Sequence, residues 1–331
     1  MLLFSVSGTQ LSFRTRLLTT ANPSVVALVL RELPLKSVLG HVVISGQTFW
    51  MPTRILSLGP GNMVKRECGA VYYYAPGQSI CVCYGSVTEA ADVNQFGYVP
   101  EEDFDKLKAV GDLVYQQTVA NEDKFIIKIE VSLIGDDENK ILLREVRPPS
   151  HVAEGGWRTV KALIEKETEA VWLEEPEEFR KIRLGVIESG AGTGNQSFSV
   201  LVHLEAYLMM DGADIIFRIL QLTQDATTTT PQIRDITRLF LSKTFNHFIF
   251  LVDLGLPTLR HISDEYDRAL DEIDNKDDYV ELTSLLLVFI TRMHRWIHLI
   301  FPWHLGKHFP HRCPDTIKGI PKLPTYFESA A

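Results

Sequence analysis

Along the first half of the chain the apolar positions repeat every second residue. Leu11, Phe13, Thr15 and Leu17 alternate with Ser12, Arg14 and Arg16, and Leu2 to Val6 precedes them across the turn Ser7-Gly8-Thr9-Gln10, which predicts a hairpin. Phe125, Ile127, Ile129, Val131 and Leu133 alternate in the same way with Lys124, Lys128, Glu130 and Ser132. Gly40 to Met51 reads as strand, turn, strand, closed by Pro52. The densest stretch is Val71 to Tyr74, the turn Ala75-Pro76-Gly77-Gln78, and Ile80 to Tyr84. Its strands are apolar at nearly every position, so they are expected to bury both faces or close a barrel. One early helix interrupts this series, with Asn22 as N-cap, Pro23 at its first position and an end near Arg31. Pro100 to Leu107 adds a short helix or turn. Asp136-Asp137-Glu138-Asn139 turns the chain into a last strand, Ile141 to Val146. Short strands joined as hairpins describe a closed β-barrel.

Beyond the stiff Arg147-Pro148-Pro149-Ser150 the period lengthens to three and four. Helices are predicted over Trp157 to Glu174, again after Pro176, over Ile233 to Leu254, over Ser263 to Ile273 with Ser263 as N-cap, and over Asp278 to Ile300. Asp214 to Leu220 is the one further strand candidate. The fold class is therefore α+β: a closed barrel over residues 1–148, then an all-α helical bundle over 151–331. In the last helix Arg292, His294, Arg295 and His298 rule out a simple membrane span and predict a packed helix with one solvated edge.

Composition narrows the partners. With 45% hydrophobic and 23% charged residues the chain is an ordinary globular one, and a net charge of -9 argues against nucleic acid while leaving small anions open. Cys81 and Cys83 alternate on one strand and share a face, which reads as packed free thiols in a reducing compartment. Met1 to Val6 lacks the basic start of a signal peptide, so a cytoplasmic location is expected and no membrane partner; a homo-oligomer stays open.

Two motifs carry more than one reading. Ile187-Glu188-Ser189-Gly190-Ala191-Gly192-Thr193-Gly194 resembles the adenosylmethionine-binding loop of methyltransferases, but that motif needs a doubly wound sheet around it. A glycine linker or an anion-binding lip over the barrel are the other readings. His294 and His298 are four apart, a spacing that can hold zinc, and His304, His308 and His311 follow. Without a Glu between the first pair or a Cys cluster, they read as structural or surface histidines, and no metal is expected.

The run Leu11 to Leu18, Asn22-Pro23 before a helix, Leu33-Pro34 and His41 to Gly46, with Asn94-Gln95-Phe96, resembles the cyclophilin-like barrel. The arginine that prolyl isomerisation needs would fall on Val42, so isomerase activity is not implied. Leu11 to Pro23, Gly40 to Arg54 and Pro60 to Cys83 resemble the cucumopine and mikimopine synthases, which pair such a barrel with a C-terminal helical bundle. That resemblance implies a cofactor-free Pictet–Spengler condensation of L-histidine with 2-oxoglutarate, both small-molecule partners. Three substrate carboxylates call for cations, for which Arg54, Lys65 and Arg66 are the candidates. Loss of water needs an acid and ring closure a base, and His41 and Glu67 lie nearest. Trp50, Tyr72 and Tyr84 could stack on an imidazole or simply fill core; Asn94 could orient a carbonyl or serve a turn. A methyltransferase and a non-catalytic ligand-binding module remain the alternatives.

Overall fold

The computed structural model describes residues 1–88, 91–135, 155–186 and 196–308. The expected strand Ile141 to Val146, the Pro148-Pro149 boundary and the Ile187 to Gly194 loop lie outside those residues.

Among the described residues nine strands form one antiparallel sheet: β1 (Leu2–Val6), β2 (Ser12–Leu17), β3 (Leu35–His41), β4 (Gly46–Pro52), β5 (Met63–Lys65), β6 (Ala70–Tyr74), β7 (Ser79–Val87), β8 (Asp92–Tyr98) and β9 (Ile127–Leu133). Their order is β2-β1-β9-β3-β4-β7-β6-β8-β5, and β2 also pairs with β8, so eight strands close into a barrel with β5 appended. Helix α1 (Pro23–Arg31) starts where expected, the Asn22 side chain accepting from the Val25 amide. Helix α2 (Phe104–Tyr115) packs Leu107, Val110 and Val114 against the barrel. The register explains the apolar density. Phe49, Met51, Val71, Tyr73, Ile80 and Val82 belong to the barrel core, whereas their neighbours Trp50, Tyr72, Cys81 and Cys83 face outward into the core of the bundle. Both faces are buried because a second layer covers the wall. Arg14 of β2 binds the carboxylate of buried Asp103, through Nε at 2.7 Å and Nη2 at 3.1 Å.

The bundle comprises α3 (Trp157–Ala170), α4 (Glu177–Arg183), α5 (Gln196–Ala206), α6 (Asp214–Leu222), α7 (Thr230–Asp253), α8 (Pro257–Ala269) and α9 (Lys276–Ile300). Asp214 to Leu220 is helical, correcting the strand expectation: Ile216, Phe217, Ile219 and Leu220 bury one helical face. Helix α8 begins at Pro257, six residues before Ser263, because proline at the first position fixes φ for a helix start. A π-helical stretch, Tyr207–Ala213, joins α5 to α6. Helix α9 opens on Asn275, whose side chain accepts from the Asp278 amide at 2.9 Å, with Asp277 and Asp278 at the positive end of the dipole. It runs between the barrel wall and the other helices. The solvated edge expected of it does not exist: Arg292, His294, Arg295 and His298 are all buried, since the outer face of β4 and β7 closes over them.

Candidate active site

Where α9 and α5 meet the barrel wall a cavity of about 580 Å³ opens, within the size range of small-molecule sites. Trp50, Tyr72 and Cys81 form its barrel side, Arg66 and Asp92 its rim, and Glu205, His294, Arg295 and His298 its bundle side. Strand alternation supplies the first group. Helical spacing supplies the second, with 294, 295 and 298 on one face of α9. Glu205 enters at the last turn of α5, directly before the π-helical stretch, a distortion common at functional sites.

The centre of the site is a hydrogen-bonded chain. His298 Nδ1 lies 2.6 Å from Glu205 Oε1, and His298 Nε2 lies 2.9 Å from the His41 carbonyl oxygen. That carbonyl also accepts from Trp50 Nε1 at 3.0 Å. Both ring nitrogens of His298 thus face oxygen acceptors, an arrangement in which the ring and the Glu205 carboxylate can hold a proton between them. Burial acts to raise the Glu205 carboxyl, but the charge on His298 and the hydrogen bonds from both histidines outweigh it and hold the group well below the usual carboxylate range. His294 Nε2 stands 3.5 Å from the same oxygen, and burial pushes this imidazole down, so it is neutral at pH 7. Glu205 Oε2 and His294 Nδ1 are buried with no hydrogen-bond partner among the described residues.

Glu205, His294 and His298 have donor atoms within 4.8 Å of one another and could close on a metal ion. As they stand, Glu205 and His298 are joined directly by a 2.6 Å hydrogen bond. With His298 Nε2 engaged as well, the arrangement is that of an acid–base pair.

Of the residues singled out in the sequence, Trp50, Arg66 and Tyr72 reach this cavity. Arg66 stands 5.5 Å from the Tyr72 ring centroid and reaches the Ser45 carbonyl at 3.4 Å. His41 contributes its backbone carbonyl only. Its ring lies on the far side of the wall in a second cavity of about 540 Å³, with Nε2 2.9 Å from Tyr84 Oη. Arg54 pairs with Glu169 at 2.6 Å and stacks on Trp172 at 4.0 Å, on the seam between barrel and bundle. Lys65 pairs with Asp92 at 2.7 Å on the rim. Glu67 is exposed, and its carbonyl accepts from the Ala70 amide. Asn94 is buried and accepts from Asn22 Nδ2 at 2.6 Å and the Asn62 amide at 3.0 Å, which pins β8 to α1. The cavity also uses Glu205, His294, Arg295 and His298, none of them among the sequence-selected site residues. The four-residue histidine spacing was a signal for two of them; Glu205 had none.

Residues 157–300 match the family model described as the cucumopine synthase C-terminal helical bundle domain. Among solved structures, McbB in complex with tryptophan is similar with a TM-score of 0.81 at 22% sequence identity, over 94% of this chain and 100% of that one. At that identity the likeness establishes a shared fold. No curated protein sequence gives a significant match. The bundle family and the neighbour both agree with a barrel followed by helices. Among the described residues all strand pairings are antiparallel, so the doubly wound sheet that a methyltransferase loop needs is not there.

Proposed function

We propose that the cavity catalyses a Pictet–Spengler condensation of an amino acid carrying an electron-rich heteroaromatic ring with a 2-oxo acid, and that its substrates are L-histidine and 2-oxoglutarate. The observation that carries this reading is the pair of half-buried Glu205 and buried His298 in a cavity roofed by Trp50 and flanked by Arg66 and Arg295. The bundle family supports it, and so does McbB, whose bound tryptophan is also an amino acid with such a ring.

The chemistry needs one proton given and one taken. The substrate amine attacks the ketone, and the resulting hydroxyl leaves as water once an acid protonates it. The His298–Glu205 pair supplies that proton, giving an iminium. The substrate imidazole carbon then attacks the iminium carbon, closing the new ring by a C–C bond. A proton leaves the attacking carbon and returns to the pair, so the site ends as it began and the net reaction releases water without oxidation or reduction. Neutral His294 beside Glu205 offers a second place for the proton in transit. Holding amine, ketone and ring carbon together lowers the barrier by about 7–11 kcal/mol when the geometry is near attack.

The test is mass spectrometry of purified protein incubated with L-histidine and 2-oxoglutarate alone. The expected product has the mass of both less one water. Folded protein that yields no such mass, with histidine or with tryptophan in its place, overturns the proposal.

A further inference from the structure

Several arginines elsewhere in the fold have carboxylates to face. Arg14 pairs with Asp103, Arg183 with Glu175, and Arg238 with Asp267 and Asp271. Arg295 does not. It is 7% exposed, its Nε donates to Ser79 Oγ at 3.2 Å, its guanidinium lies 4.8 Å from the Trp50 ring centroid, and among the described residues no carboxylate pairs with it. Arg292, one turn earlier, is also buried without a carboxylate, but Trp172 and Trp296 enclose it and it does not line the cavity. Glu205 across the cavity favours its charge from a distance but does not pair with it, and a guanidinium kept in a buried wall without a paired carboxylate carries a desolvation cost that folding alone does not return. It is offset when a ligand brings the anion, and the guanidinium fork matches a carboxylate with two parallel bonds.

Resting on the condensation reading above, we infer that Arg295 is the anchor for the carboxylate next to the ketone of the 2-oxo acid. The placement follows from the helix. Arg295 and His298 are three residues apart on α9, about 4.5 Å along its axis and on the same face. A carboxylate held by Arg295 therefore sets the adjoining ketone carbon beside the His298–Glu205 pair, where the hydroxyl must be protonated. Trp50 beneath the guanidinium fixes its plane, and Ser79 on β7 fixes its rotation. Arg295 is then specificity-determining: it selects an oxo acid over an aldehyde or simple ketone.

Calorimetry on the full chain tests this directly, titrating 2-oxoglutarate, pyruvate and L-histidine separately into wild type, Arg295→Gln, Arg295→Lys and Ser79→Ala. Arg295→Gln is expected to weaken both oxo acids on the order of 10- to 100-fold, the loss of one charge-assisted clamp, with L-histidine changed less than about threefold. Arg295→Lys should recover part of the loss, and Ser79→Ala, which leaves the charge in place, should weaken oxo-acid binding by a smaller factor. The ligand-free melting temperature of Arg295→Gln should equal or exceed that of wild type, because an unpaired buried charge is removed; a purely structural arginine predicts a fall. Oxo-acid affinity unchanged in Arg295→Gln, a loss confined to L-histidine, or no oxo-acid binding by wild type each overturns the inference. Should Arg295→Gln not fold, unchanged binding in both Arg295→Lys and Ser79→Ala does so. Binding through Arg295 without any condensation product would sink the condensation reading and leave the anchor standing; product formation insensitive to Arg295→Gln would do the reverse.

Discussion

Acidification from pH 7.5 to 5 should remove about 2 kcal/mol of stability through one buried ring, that of His41, given its depressed proton affinity. Its Nδ1 accepts the Val43 amide at 2.9 Å, which leaves the Nε2 proton for Tyr84 Oη at 2.9 Å. Val43 itself sits at φ 69, a conformation that β-branched residues avoid, so the hydrogen bond holds a strained turn. Burial, and then the nearby charge of His298, push His41 down from 6.5 to about 4. Between those two values the unfolded chain takes up a proton that the folded chain refuses. Stability is therefore whole above the unfolded value and falls as the pH drops toward the folded one. At about 1.4 kcal/mol per pH unit the full gap is worth roughly 3 kcal/mol, of which about 2 is gone by pH 5. Burial also pushes His294 down, and it contributes in the same direction, so the comparison must isolate His41. His41→Asn keeps an acceptor for the Val43 amide and has nothing to titrate there. Urea unfolding followed by circular dichroism at both pH values should show wild type losing about 2 kcal/mol more than the variant. Equal losses within about 0.5 kcal/mol would refute the reasoning. Because His41 reaches the site only through the backbone carbonyl that holds His298 and Trp50, condensation at pH 7.5 should survive the substitution.

Three shorter expectations follow from the same geometry. Glu205→Gln should lower kcat on the order of 10²- to 10⁴-fold with little change in KM, and flatten one limb of the pH–rate profile; unchanged kcat would place the acid–base group elsewhere. Gly40→Ala should destabilise by roughly 1–3 kcal/mol or more, because its Cβ would fall 2.1 Å from Trp50 Cζ2 and force the indole out of the cavity wall; an unshifted melting temperature and tryptophan fluorescence would contradict this. Arg54→Ala should cost about 1 kcal/mol at the barrel–bundle seam and leave KM for 2-oxoglutarate untouched, and a raised KM in a steady-state assay would return Arg54 to the site.

What the sequence determined by itself is the set of local patterns. The two-residue repeat around Phe13 and Ile129, the Asn22-Pro23 start and the helical spacing after Trp157 are each decided by neighbours a few positions away, and the structure has them. The doubly apolar Val71 to Tyr84 stretch left open whether its strands bury both faces or close a barrel, and the structure has both. What covers it was decided only by packing. Helix α9 meets β4 and β7 across more than two hundred residues of chain, as the Arg295 to Ser79 bond illustrates, and no local period encodes that meeting. Hence the charged face of α9, legible as a solvated edge, became the wall of a cavity. His41, legible as a base beside the hairpin, turned its ring away and left its carbonyl to hold His298. Alternation along a strand tells which residues share a face, but not which face meets another element. Glu205 was invisible for the same reason: a carboxylate on a helix is ordinary until tertiary contact buries it between two histidines, where its charge and its proton acquire a use.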